Sequence, residues 1–244
     1  MTARPRRAIQ VILLTCAGIS VLWAVSMVRV TTRQGVNFQL SVTSVPLYAK
    51  AIAFLHRHVE YGLLAKDITR GLRSQPERVR AIYAWTRGHI RPTPADWPIV
   101  DDHVLNIIIR GHGSNDQMAD AFTTLAAYAG LPAFYRQGPI IVSFVRVDGR
   151  WAMFDVANGL VFADASGQFL DAAELLSHPE LADPVIGSLA VGGEPYRRQL
   201  ERLAAFWQPV VRRPDLQMPL PRLVFELRRA LRLPSAAPPA PGPA

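Results

Sequence analysis

The chain has 244 residues, 50% hydrophobic and 19% charged, with a formal net charge of +8 and a single cysteine, Cys16. That length suffices for one sizeable core, and one cysteine excludes a disulfide framework and leaves no thiol in the body of the chain. The basic excess sits at the ends: residues 1–33 hold five Arg and no acid, residues 212–244 hold six Arg against Asp215 and Glu226, and residues 34–211 come to a net −1. No basic groove crosses the middle, so no nucleic-acid partner is expected.

Residues 1–7 form a basic N-terminus with Arg4, Arg6 and Arg7. Residues 8–28, AIQVILLTCAGISVLWAVSMV, carry no charge and are long enough to cross a bilayer as one helix. No small-x-small cleavage site follows, which favours an uncleaved signal anchor over a removed peptide. More positive charge precedes the span than follows it, which puts residues 1–7 in the cytoplasm. The expectation is a single-pass protein of a bacterial inner membrane, touching the lipid bilayer through residues 8–28, with its domain in the periplasm. Residues 29–45 alternate at Val36, Phe38, Leu40 and Val42 and are expected to form a tether with one edge strand.

Residues 46–210 read as the folded domain. After Pro46, Leu47, Ala51, Phe54, Leu55, Val59 and Leu63 recur at helical spacing. His56 and His58 lie two apart, hence on different faces; they are expected to be solvated, and no metal or cofactor site is expected. Pro76-Glu77 opens a second helix with Val79, Ile82, Tyr83 and Thr86 inward. Pro92, Pro94 and Pro98 hold an extended loop, after which Asp101 and Asp102 are placed to cap a short helix through Val104, Leu105, Ile107 and Ile108.

Gly111 and Gly113 then mark a tight turn. Ser114, Asn115 and Asp116 can start a helix, and Met118, Ala119, Phe122, Leu125, Ala126 and Ala129 give it an apolar stripe ending at Gly130 and Pro132. Residues 134–137 read as a strand. Residues 140–155, IIVSFVRVDGRWAMFD, read as a hairpin turning at Asp148-Gly149. A strand at 160–163, a helix at 171–176 and a helix at 194–207 follow. The fold class is α+β, with helices packed on a small antiparallel sheet. Residues 211–233 combine a Pro-rich connector with a basic amphipathic helix, RLVFELRRALRL, and residues 234–244 are a Pro/Ala tail expected to be disordered.

Residues 111–133, GHGSNDQMADAFTTLAAYAGLPA, resemble the nucleophile helix of the transglutaminase-like, papain-type superfamily. In that family a glycine loop leads to a cysteine at a helix N-terminus, and the helix runs to a Gly-Leu/Ile-Pro-Ala segment. Laid on this sequence, the cysteine position falls on Asn115. The family hairpin carries a histidine at its start and an aspartate at its end; these positions fall on Ile140 and Asp155. The resemblance covers roughly residues 45–165 and implies the family fold without its chemistry. Thiol acyl transfer needs a thiolate and a base, and an Asn amide with an Ile supplies neither. The implied function is a catalytically inactive domain used in binding or assembly at the cell envelope. An envelope protein, peptidoglycan or a polysaccharide are the partner classes, and the sequence selects none of them. The alternative is an amide or ester hydrolase or acyltransferase using Ser114 with His112, where His103 and Ser143 widen the choice of partners.

Overall fold

In the computed structural model, which describes residues 4–36, 39–100, 102–205 and 210–234, the first element is helix α1 (Arg4–Ser26). Its stretch Ala8–Ser26 has a mean hydropathy of 2.2 and none of it is buried. By length and composition it is able to cross a membrane. Strands β1 (Arg29–Val36) and β2 (Gln39–Pro46) come next and pair with each other antiparallel, from Arg29 opposite Pro46 to Val36 opposite Gln39. The tether with one edge strand is therefore a self-paired hairpin, in which the alternation of residues 30–45 finds its partner locally; Phe38 lies outside the described residues. The Leu47 N–H donates to Val28 O at 2.8 Å, so the chain leaves the hairpin where it entered.

Helix α2 (Leu47–Ile68) buries Tyr61 and Ala65. Tyr48, Ile52, Leu55, Val59 and Leu63 are exposed. The helix has two apolar faces, and the core takes the one with Tyr61, whose hydroxyl accepts from the Leu105 N–H at 3.0 Å. His58 is not solvated as expected: its Nδ1 lies 2.8 Å from the Tyr128 hydroxyl. Helix α3 (Gln75–His89) starts on a capping box in which Ser74 and Glu77 satisfy each other's N–H. It buries Val79, Ile82 and Thr86.

The two-residue strand β3 (Arg91–Pro92) follows, then helix α4 (Val104–Arg110) and strand β4 (His112–Gly113), which pairs parallel with β3. Gly111 ends α4 in the left-handed region at φ 69°. Asp101, one of the two expected caps, lies outside the described residues; the other, Asp102, sits one position ahead of the N-cap His103 and accepts from the His103 N–H at 2.8 Å. Helix α5 (Asn115–Tyr128) is capped at Ser114. It is enclosed further round than a single stripe requires: Gln117, Thr123 and Thr124 are buried beside Met118, Phe122 and Leu125. Thr123 tolerates this because its hydroxyl donates to Ala119 O at 2.8 Å.

The sheet comprises β5 (Ala133–Gln137), β6 (Ile141–Val147), β7 (Arg150–Asp155), β8 (Leu160–Val161) and, after helices α6 (Ala172–Ser177) and α7 (Asp183–Ile186), the short pair β9 (Ala190–Val191) and β10 (Glu194–Pro195) and helix α8 (Tyr196–Ala205), a late strand β11 (Val210–Arg212). The order β11-β5-β6-β7-β8 is antiparallel throughout. The β6–β7 turn uses Asp148 at φ 49° and Gly149 at φ 87°, the pair of positive φ values that a two-residue hairpin needs. Strand β11 is a correction to the expected connector: Val210, Val211 and Arg212 extend the sheet edge beside Gln137, Arg136 and Tyr135.

Side chains alternate across the sheet. Ala133, Val145, Ala152 and Phe154 join Ile82, Phe122 and Leu125 in one apolar cluster. Phe134, Val142, Phe144 and Met153 join Leu175, Tyr196, Leu200 and Leu203 in another. Helices thus cover both faces: α2–α5 on one, α6–α8 on the other. Helix α9 (Pro219–Ala230) closes the described chain and buries no residue; it begins three residues before the expected 222–233 segment. The Pro/Ala tail beyond residue 234 lies outside the described residues.

Candidate functional site

The first turn of α5 is built by local sequence. Gln117, three residues past the N-cap Ser114, turns its side chain back so that Oε1 accepts from the Ser114 N–H at 3.1 Å. The same oxygen accepts from Arg110 Nη2 at 3.3 Å. Arg110 also donates to His112 O at 3.1 Å and forms an ion pair with Asp102 at 3.5 Å. The Asp102 side chain is wholly buried, and its other oxygen accepts from Asn106 Nδ2 at 2.7 Å. This network clamps the glycine loop between α4 and α5.

Asn115 is the first residue of α5 and is exposed, with the cap supplied by Ser114. The Ser114 hydroxyl donates to Asp116 Oδ1. The His112 ring lies against Trp97, centroids 5.1 Å apart, with Nδ1 3.2 Å from Arg110 O. Ile140 is 4% exposed and packs in the cluster on the sheet face away from α5. Asp155 is 1% exposed at the end of β7. Its carboxylate accepts from the Tyr196 hydroxyl at 2.8 Å and from Asn158 at 3.0 and 2.8 Å. Burial first, then the Asp155 charge, raise the Tyr196 phenol well above its ordinary range. Among the described residues, no hydrogen bond joins any two of Ser114, His112, Asn115 and Asp155. Ser143 is fully buried on β6, and its hydroxyl has no hydrogen-bond partner among them.

Beside the first two turns of α5 lies an open cleft of about 790 Å³. Asp116 and Asp120 of α5, Tyr135 and Gln137 of β5, and Arg212 and Arg213 line it. Gln137 Nε2 donates to Asp116 Oδ2 at 3.5 Å. Arg213 is held by Asp215, Nη2 to Oδ2 2.6 Å, which raises its pKa further. Carboxylates, an amide and guanidinium groups lining one cleft suit a ligand rich in hydroxyl and amide groups. Sequence reading found Asp116 as a helix-start residue and missed the rest of this cleft. Tyr135 and Gln137 lie on one face of a strand whose facing helix is set by tertiary packing. Gln117 did carry a signal, the Ser-x-x-Gln spacing of a capping box. Among the described residues, no group of three or more His, Cys, Asp or Glu is arranged to hold a metal ion.

Residues 63–156 match the family model of the transglutaminase-like superfamily. That span runs from the second half of α2 to the residue after Asp155, and the likeness is at the level of the superfamily. A comparison with curated proteins gives no match. Among solved structures, a candidate cysteine protease from Cytophaga hutchinsonii is 19% identical, covering 42% of this chain and 40% of that one, with a TM-score of 0.37. A candidate protease from Parabacteroides distasonis is 12% identical over 42% of this chain and 27% of that one, TM-score 0.32. A TGase is 14% identical over 61% and 48%, TM-score 0.31. This chain spans less than half the length of each.

Proposed function

We propose that the chain is a membrane-anchored, non-catalytic transglutaminase-like domain that binds a partner at the cell envelope through the cleft beside α5. What supports this reading is the resemblance, which lays the family's nucleophile and base on Asn115 and Ile140, residues with neither a thiol nor an imidazole. The only cysteine lies in α1, so no thiol serves the domain. Asp155 in this reading is a structural acid that ties β7 to α8. The cleft's chemistry favours a peptidoglycan fragment or a polysaccharide, whose hydroxyls and amides would meet Asp116, Asp120 and Gln137.

Calorimetry with the full chain in detergent tests this, titrating soluble muropeptides and, separately, acidic and neutral oligosaccharides. The expected result is saturable binding to one of these classes without turnover. Asp116→Ala or Asp120→Ala then weakens it roughly tenfold or more, the weight of a lost hydrogen bond to a charged group. Absence of binding to every class sinks the cleft reading. Turnover of an amide or ester that disappears in Ser114→Ala would replace it with the hydrolase reading.

A further inference from the structure

Helix α9 presents an apolar face that the rest of the described chain does not cover. Leu220, Leu223, Val224, Leu227 and Leu231 are 74, 54, 52, 52 and 68% exposed. At 100° per residue they fall within one stripe about 100° wide. Phe225, on another side, is half-buried and lines the cleft, while the leucines are exposed.

Its charges are arranged to match. Glu226 is neutralised within the helix, by Arg222 at 2.7 Å and Arg229 at 3.8 Å. Arg228 and Arg232 have no ion pair among the described residues and are exposed. The helix ends in a Schellman motif: the Leu233 N–H donates to Arg228 O at 2.9 Å and the Arg232 N–H to Arg229 O at 3.2 Å. The left-handed position of that motif, ordinarily glycine, is Arg232 at φ 54°. A cation is thus held at a strained backbone position, next to the apolar stripe.

An exposed aliphatic stripe flanked by arginines without acid partners is complementary to an anionic lipid surface, where leucines enter the acyl boundary and guanidinium groups reach the headgroups. We infer that α9 lies in the plane of an anionic bilayer as a second membrane contact, holding the cleft near the lipid surface. This rests on the anchor reading of α1, which brings the domain within reach of the bilayer.

The test uses the full chain as Cys16→Ser with Leu227→Cys carrying an environment-sensitive fluorophore. It is reconstituted into phosphatidylcholine vesicles with or without phosphatidylglycerol, and quenching by lipids labelled on the acyl chain is read. Strong quenching with phosphatidylglycerol and little without it is expected. Replacing Arg228 and Arg232 with Gln shifts the docking equilibrium roughly 30-fold toward the undocked state, about two basic residues' worth at an anionic surface. Co-flotation of the protein in every arm separates failure of α9 from failure of α1: a chain that does not float refutes the anchor, whereas one that floats with an unquenched label refutes the docking. Quenching indifferent to lipid charge also overturns the proposal. So does label burial that grows with the protein-to-lipid ratio, which marks a second copy as the occupant.

Discussion

Asp155 and Tyr196 stand 41 positions apart in the chain and meet in the core with almost no exposure. Tyr83, whose ring meets Phe122 edge-on and Phe154 at a tilt, is pushed up to about 12 by burial, against the lowering charge of Arg87 and with Asp155 adding to the rise. Tyr128 is likewise pushed up to about 12 by burial. A phenol whose folded pKa exceeds its unfolded value of about 10 contributes stability that is fully present below pH 10 and lost as pH climbs toward the folded value. Denaturant unfolding in detergent should therefore be flat from neutral pH to about 10 and fall beyond it. Tyr196→Phe should lower stability at neutral pH by about 1–3 kcal/mol, through the lost bond to a carboxylate, and should make the alkaline fall shallower. An unchanged alkaline slope would remove Tyr196 from the account. The acid was legible in the sequence as the end of a hairpin, but its partner was not, because no local pattern links residue 155 to residue 196. Ile140 was legible as apolar, and which face of the sheet it serves was not: that depends on a pleat whose outer side is covered by α6–α8, elements whose packing the sequence does not announce.

At the scale of elements, what was legible is what is local. Helix α5 declares itself by glycines before it, a Ser-x-x-Gln start, and Gly130-Leu131-Pro132 after it. The β6–β7 hairpin declares itself by Asp148-Gly149. Strand β11 and the β1–β2 pair depend on partners that alternation alone does not identify, and proline-rich surroundings disguised the first. The glycine loop gives the element-scale prediction. A Cβ on Gly113 would stand 3.2 Å from Gln117 Cβ, 3.2 Å from Ile107 Cγ2 and 3.4 Å from Ile90 Cγ2. The first turn of α5, the last turn of α4 and the end of α3 would all have to give. Gly113→Ala should cost about 1–3 kcal/mol by overpacking, read as a lower denaturation midpoint with an unchanged denaturant slope. Gly130→Ala makes the contrast: nothing lies within 4 Å of its added Cβ, but φ is +80°, so its cost, about 1–2 kcal/mol, is backbone strain. If Gly113→Ala is neutral, the close approach of the three helices is looser than the distances state.

For the whole molecule, the charge and apolar surface are distributed along one theme. The middle of the chain is nearly neutral, while both ends are basic and carry exposed aliphatic helices. In α1 the exposure extends all round, from Ile9 at 56% to Leu14 at 74% and Leu22 at 70%, whereas in α9 it is confined to a stripe. By the same physics the first suits the bilayer interior and the second its surface. The anchor prediction follows from α1. Full-length protein should remain with membranes through high salt and alkaline carbonate and leave only in detergent. Leu14→Asp together with Val21→Arg puts two charges into a span that has none. Each costs about 2.5–3.5 kcal/mol near a helix centre, enough together to abolish stable insertion. The variant should then wash off in carbonate, and whatever association survives neutral buffer should be salt-sensitive, since it would rest on the arginines of α9 and the N-terminus. Both substitutions lie on a helix that touches little of the domain, so the denaturant midpoint of the soluble part should not move. Wild-type protein that washes off in carbonate would show that α1 does not span the bilayer.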